Sequence, residues 1–237
     1  MKPIHAFSRQ CVFSKVSHAK NRIPGFSKEA CYLNLKGTAD PDLVEFHFLL
    51  DGDPAGHFVE KEPSLHHFEG GTETKSFHYM LDYIFSLGLD DATIIYSVED
   101  DYIHRSGWSK VIQEPFELGV EHVTLYDHFD KYTPVYHKLS SHLLVTESSH
   151  WRTTPSTTNT FAVKLGDLKK YEKIYRRYSN KNDLISRDHD RFIELWKEGS
   201  SLVSAVPGWS THMEPELASP LINWKHIHDK YLHINAR

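Results

Sequence analysis

The stretch that most constrains the fold is TIIYSVEDDYIH, residues 93–104. Thr93, Ile94, Ile95, Tyr96 and Val98 are β-branched or aromatic, as in a buried strand, and the run ends abruptly in Glu99, Asp100 and Asp101. Three adjacent carboxylates repel one another, so they either fan into water or converge on a cation. Hard divalent ions such as Mg²⁺ and Mn²⁺ favour such oxygen ligands. In open α/β sheets, ligands bind outside the carboxyl ends of the strands. The acidic triplet is therefore expected at a functional edge.

The segments on its N-terminal side supply the rest of a layered α/β pattern. Residues 3–7 read as a first strand that feeds a polar, basic loop with Ser8, Arg9, Lys15, Lys20 and Arg22, suited to holding a nucleotide. Phe26, Ala30, Leu33 and Leu35 fall at helical spacing before Gly37, which predicts a helix over 26–35. Residues 43–50 read as a strand that again ends in acids, Asp51 and Asp53. Phe77, Met80, Leu81, Ile84 and Phe85 mark one face of an amphipathic helix over 76–87, closed by Gly88. The order strand, helix, strand, helix, strand predicts an α/β domain with a mainly parallel central sheet, flanked by helices and wound by right-handed crossovers. Asp51, Asp53, Gly56 and Glu62 also mimic a calcium-binding EF-hand loop. The strand-like entry, Pro63 at the exit and Ala55 at a ligand position exclude it.

Beyond the triplet, a helix is expected over 108–118, a strand over 122–126 leading to Asp127 and Asp130, and another strand over 143–146. Residues 151–160, rich in hydroxyls, read as a loop lining a cleft. Helices are expected over 168–178 and 189–196, and the segment from Val206 to Trp224 reads as irregular. With 237 residues, 25% charged and 39% hydrophobic, one soluble domain is the simplest outcome. A net charge of -5 and the lack of a basic stripe outside 169–177 argue against a nucleic-acid partner. Cys11 and Cys31 are the only cysteines, too few for a disulfide framework or a cysteine-based zinc site. No run of 18 apolar residues and no signal-peptide core occur, so no transmembrane segment and a cytoplasmic location are expected.

Taken in order, the VEDDY acids, the acid-ended earlier strand, RDHD and GWSTH resemble a nucleotide-sugar-dependent glycosyltransferase of the GT-A fold, family 2-like, over residues 3–224. The resemblance implies a single GT-A, Rossmann-like domain over 1–237, with a nucleotide-binding part at about 1–104 and an acceptor-binding part at about 105–237. It implies that Asp51 and Asp53 contact the nucleoside. VEDDY then supplies the DxD motif: Glu99 and Asp101, completed by His212, hold Mn²⁺ or Mg²⁺, and Asp100 joins Ser8, Arg9 and Arg22 around the nucleotide. Asp188 or Asp190, before the helix over 189–196, is the implied catalytic base. The donor would be a nucleotide sugar, a UDP-sugar first among them, and the acceptor a glycan or other hydroxyl, attacked with inversion. Two other readings stand beside this one. A nucleotidyltransferase would want a basic, glycine-rich phosphate loop after the first strand, where residues 8–20 have lysines but no glycine. A non-catalytic carbohydrate-binding module would stack sugars on Trp151, Trp209 and Trp224.

Overall fold

A computed structural model describes residues 2–232. Along the chain it runs β1 (Ile4–Cys11), α1 (Lys15–His18), α2 (Lys28–Gly37), β2 (Val44–Asp51), β3 (Leu65–Phe68), α3 (Glu73–Ser86), β4 (Ile94–Glu99) and β5 (Tyr102–His104). There follow α4 (Trp108–Val111), α5 (Glu114–Glu117), β6 (His122–Thr124), β7 (Leu143–Val145), β8 (His150–Thr153) and β9 (Phe161–Lys164). The chain continues through α6 (Leu165–Lys170), α7 (Glu172–Tyr178), α8 (Asp188–Lys197), β10 (Leu202–Val206), β11 (Ser210–His212) and α9 (Trp224–Asp229). Nine strands form one sheet in the order β3-β2-β1-β4-β9-β6-β10-β8-β7, and β11 pairs with β5 in a separate two-stranded ladder. Within the large sheet β9 and β8 run against the other strands, so the expected mainly parallel sheet holds.

The period of two along β4 builds both layers of core. Tyr96 and Val98 face one side, with Leu35 of α2 and Trp108, Val111 and Phe116 of the α4–α5 region. Ile95 faces the other, with Phe77, Met80, Leu81 and Ile84 of α3 and Tyr175, Phe192 and Leu195 of α7 and α8. These residues are essentially all out of water, each large apolar side chain contributing about 1.5–3 kcal/mol before chain entropy is set against it.

The local signals account for most element boundaries. Ser27 and Thr72 cap α2 and α3, their side chains accepting from the Ala30 and Lys75 amides. The single helix expected over 108–118 is two short ones, because Pro115 cannot donate to a continuing helical ladder. The expected loop over 151–160 begins as strand, since β8 runs through Thr153; the remainder is loop, and β9 starts just after it at Phe161. The segment read as irregular contains β11 and leads into α9.

One connection positions the site. The chain leaves β1 to build β2 and β3 on one flank, then crosses to place β4 on the other. This reversal of strand order opens a crevice between the carboxyl ends of β1 and β4, the usual ligand position in a doubly wound sheet.

Candidate functional site

The acidic triplet stands at that crevice, and cations from the first 28 residues of the chain come to it. Asp100 accepts from the Lys28 ammonium at 2.6 Å and from the Cys11 amide at 3.2 Å. Asp101, 5% exposed, accepts from Arg22 Nη2 at 2.8 Å and is hydrogen-bonded to His212 Nε2 at 2.8 Å. Lys20 reaches in from the same loop, 2.8 Å from Glu214 and 3.9 Å from Asp101. Arg9, inside β1 and 6% exposed, donates from Nη1 to Glu73 at 2.8 Å and brings Nη2 within 3.5 Å of Glu99.

Burial and these charges divide the carboxylates. Burial alone would raise the Asp101 carboxyl, but His212, Lys20 and Arg22 outweigh it and hold it well below the usual carboxylate range. Burial dominates at Glu99, reinforced by the neighbouring charges of Asp101 and Glu73 against the pull of Arg9, and pushes it up to about 7. Burial pushes the Cys11 thiol up to about 12, with the Asp100 charge adding to it, so this cysteine is a poor nucleophile.

Glu99, Asp101 and His212 are thus brought to one region, as the sequence leads one to expect. Their partners are lysine and arginine, however. Among the described residues no three His, Cys, Asp or Glu side chains are grouped to hold a metal ion. A bound Mg²⁺ or Mn²⁺ does not fit this ion-paired arrangement, and no chemical step is assigned to one.

The other candidates fall in several places. Ser8 accepts from Gln10 at 2.8 Å and, with Gln10, Glu99, Asp100 and Tyr102, lines a narrow cleft too tight to hold a water molecule. Asp51 spends its carboxylate on the chain itself, accepting from the Gly70 and Gly71 amides at 2.8 Å each. That turn is tight, since a Cβ at Gly70 would lie 2.9 Å from Phe68 and 3.1 Å from Asp51 Oδ2. Asp53 accepts from the Ala55 amide at 2.9 Å in the next turn. Asp188 and Asp190 occupy the first turn of α8 rather than its N-cap, which is Arg187. Asp188 is half-buried and its carboxyl is raised, chiefly by burial. Asp190 is exposed and 3.6 Å from Arg187.

Three residues that matter here escaped the sequence reading as site residues: Lys28, Glu73 and Arg191. Glu73 is a hub, receiving Arg9 and Asn159 on Oε1 and the Ser186 amide, at 2.7 Å, on Oε2. Arg191, fully buried, donates to Asn159 and to Ser179. The available signal was weak: Gly70-Gly71-Thr72 marks a helix start, but not which strand its first residue will touch.

No protein-family model matches the chain, and no curated protein matches it. Solved structures do. A 4-diphosphocytidyl-2C-methyl-D-erythritol synthase from Anaerococcus prevotii is similar over 100% of this chain and 97% of its own, at 12% identity and a TM-score of 0.48. A cytidylyltransferase from Leptospira borgpetersenii is similar over 75% of this chain and 68% of its own, at 13% identity and a TM-score of 0.44. Neither is named as a glycosyltransferase. The expectation of sugar transfer from a nucleotide-sugar donor is corrected on this finding.

Proposed function

We propose that the chain is a nucleotidyltransferase that binds the polyphosphate of a nucleoside triphosphate in the crevice between β1 and β4. One observation carries this reading. Arg9 Nε, in β1, and Arg22 Nε and Nη1, in the loop that folds over the crevice, are buried without a hydrogen-bond acceptor, and Arg9 Nη2 has only the ion-pair contact to Glu99 at 3.5 Å, while the remaining donors of both guanidinium groups are held by carboxylates or hydroxyls. Buried guanidinium donors without acceptors are costly, and phosphate oxygens are the acceptors that match their planar, forked geometry. Lys20 and Lys28 flank them and add charge without fork geometry.

The chemistry that fits is attack of an acceptor oxygen on the α-phosphorus. A P–O bond forms there, the α–β anhydride bond breaks, and pyrophosphate leaves with the electron pair. Fixed cations at the carboxyl ends of the strands favour the negative charge that grows on the phosphoryl and leaving oxygens, and they need no reorganisation as it grows. The absence of glycine over residues 8–20 is offset in this reading, because side chains rather than backbone amides present the positive charge.

Calorimetric titration with CTP, UTP, ATP and GTP tests the binding, alongside pyrophosphate release in the presence of phosphomonoester and alcohol acceptors. At least one triphosphate is expected to bind, and Arg22→Gln should weaken it ~10-fold or more, the scale of losing a charge-assisted bond. Equal affinity in Arg22→Gln, or turnover that yields nucleoside diphosphate instead of pyrophosphate, sinks the reading.

A further inference from the structure

A second place in the molecule is built to receive a charged group. A groove of about 390 Å³ lies between the turn joining β7 to β8 and the segment 206–209, lined among others by Arg105, Val145, Glu147, Ser148, His150 and Trp209. Trp209 is fastened on each of its polar atoms. Its amide donates to Leu125 at 2.8 Å, its carbonyl accepts from the Arg105 amide at 2.9 Å, and its indole N–H donates to Ser149 Oγ at 3.2 Å. The residue before it must be glycine, because a Cβ at Gly208 would lie 2.6 Å from Ser219 Oγ. The ring is therefore a fixed platform.

Arg105 lies on that platform with its guanidinium carbon 4.0 Å from the ring centroid. Among the described residues its one side-chain hydrogen bond runs from Nη1 to the Gly208 carbonyl at 3.5 Å, and no carboxylate of theirs lies within ion-pair distance of it. Burial lowers its affinity for its proton, with no acid to offset the loss. A guanidinium held over an indole has little rotamer freedom left to lose, and its planar fork of N–H donors matches a two-oxygen anion through paired hydrogen bonds. Ser148 and His150 offer hydroxyl and imidazole partners beside it, and Glu147 supplies an acceptor for a hydroxyl.

We infer that this groove is a second ligand site, in which Arg105 on Trp209 binds the phosphate or carboxylate of a small hydroxylated molecule. The site is tied to the crevice by the β5–β11 ladder. Ser210 pairs with His104 and His212 with Tyr102, so Trp209 stands three residues from His212, roughly 10 Å along an extended strand. Identifying the groove ligand as the acceptor of nucleotidyl transfer rests on the proposed function; the oxyanion site itself does not.

Labelling the tryptophans with ¹⁵N and following the indole N–H of Trp209, assigned by its loss in Trp209→Phe, reads the groove alone. Inorganic phosphate, glycerol phosphate and acetate are added at constant ionic strength. A saturable shift with phosphate or glycerol phosphate marks a phosphate site, and one with acetate alone a carboxylate site. Arg105→Gln should weaken the response ~10-fold or more, whereas the double variant Lys20→Ala, Arg22→Ala should leave it unchanged. Arg105→Lys, which keeps the charge but not the fork, serves if the Gln variant does not fold, and parental affinity in it overturns the inference. So does a resonance that none of the three anions moves, or one that moves equally in Arg105→Gln. Failure of nucleotide binding with the groove response intact refutes the transfer reading and leaves the groove standing.

Discussion

Asp101 and His212, 111 residues apart in the chain, are hydrogen-bonded at 2.8 Å across the β5–β11 ladder, and neither is more than 6% exposed. The contact ties the end of the central strand to the C-terminal segment. His212→Ala removes one of three cationic or donor partners of a buried carboxylate, leaving Arg22 and Lys20. A loss of about 1–3 kcal/mol is expected at pH 7 in urea denaturation, the cost of a missing bond to a buried charge. Because the Asp101 carboxyl is held low in the folded state, its contribution is present above about pH 4 and declines below it. The gap between parent and variant should therefore narrow in acid.

Glu99 behaves in the opposite sense. Its folded-state value of about 7 lies above that of a free glutamate, so the folded protein holds a proton there that the unfolded chain has released. Stability then falls as pH rises from about 4.5 to about 7 and levels off above. Glu99→Gln removes that dependence. Its melting temperature should match the parent near pH 5 and exceed it by a few degrees at pH 8, at ~2–4 °C per kcal/mol for a chain of this size. A constant difference across that range contradicts the assignment.

A chain of histidines sits away from the crevice. His5 Nδ1 is 3.0 Å from His47 Nε2, His47 Nδ1 is 3.3 Å from the Tyr83 hydroxyl, and that hydroxyl is 2.6 Å from His66 Nε2. Burial, with the neighbouring His5 charge, lowers His47 to about 4, and burial lowers His5 and His66 as well. Here the unfolded state takes up protons first. Stability is full above about pH 6.5 and is lost as pH falls toward 4. His47→Gln should flatten the fall in melting temperature between pH 7 and pH 5, even if it costs stability at neutral pH through the bonds it gives up.

The two acid-ended strands show what a sequence can and cannot disclose. Apolar alternation and helix spacing were enough to place β1, β2, α3 and β4, because those patterns report burial directly. The acids at the strand ends were legible as a site for the same reason, since charge beside a buried run is conspicuous. Their partners were not. Asp51 and Asp101 look alike in sequence, yet Asp51 is occupied by two backbone amides of its own turn and Asp101 by Arg22 and His212. Which cation or amide reaches a carboxylate depends on how a loop folds back over the sheet, and no local pattern encodes that. Short strands such as β8, β9 and β11 were missed because three or four residues carry too little periodicity to separate from a loop.

Glu73 is where that hidden wiring is densest. Through Arg9 it touches β1 and, at one remove, Glu99; through Asn159 it touches the segment before β9 and Arg191 of α8; through the Ser186 amide it holds the loop that enters α8. Glu73→Ala strips the hydrogen-bonded counter-ion from a guanidinium that is 6% exposed, leaving it only the longer contact to Glu99 at 3.5 Å, and leaves the Ser186 amide without its acceptor. Breaking a buried ion pair from one side costs ~3–5 kcal/mol, so the Ala variant should be near the limit of folding. Glu73→Gln keeps the shape and most of the bonds but not the charge, and should lose less. Burial would raise the Glu73 carboxyl, but the Arg9 charge and the Ser186 bonds outweigh it and hold it below the ordinary value. Its charge therefore stabilises the fold above about pH 4.5 and ceases to do so in acid. Urea denaturation at pH 7 should separate parent from Glu73→Gln clearly, and at pH 3 should bring the two together. If Glu73→Gln equals the parent at pH 7, Arg9 is satisfied by Glu99 alone, and the link from the crevice to α8 is a contact without energetic weight.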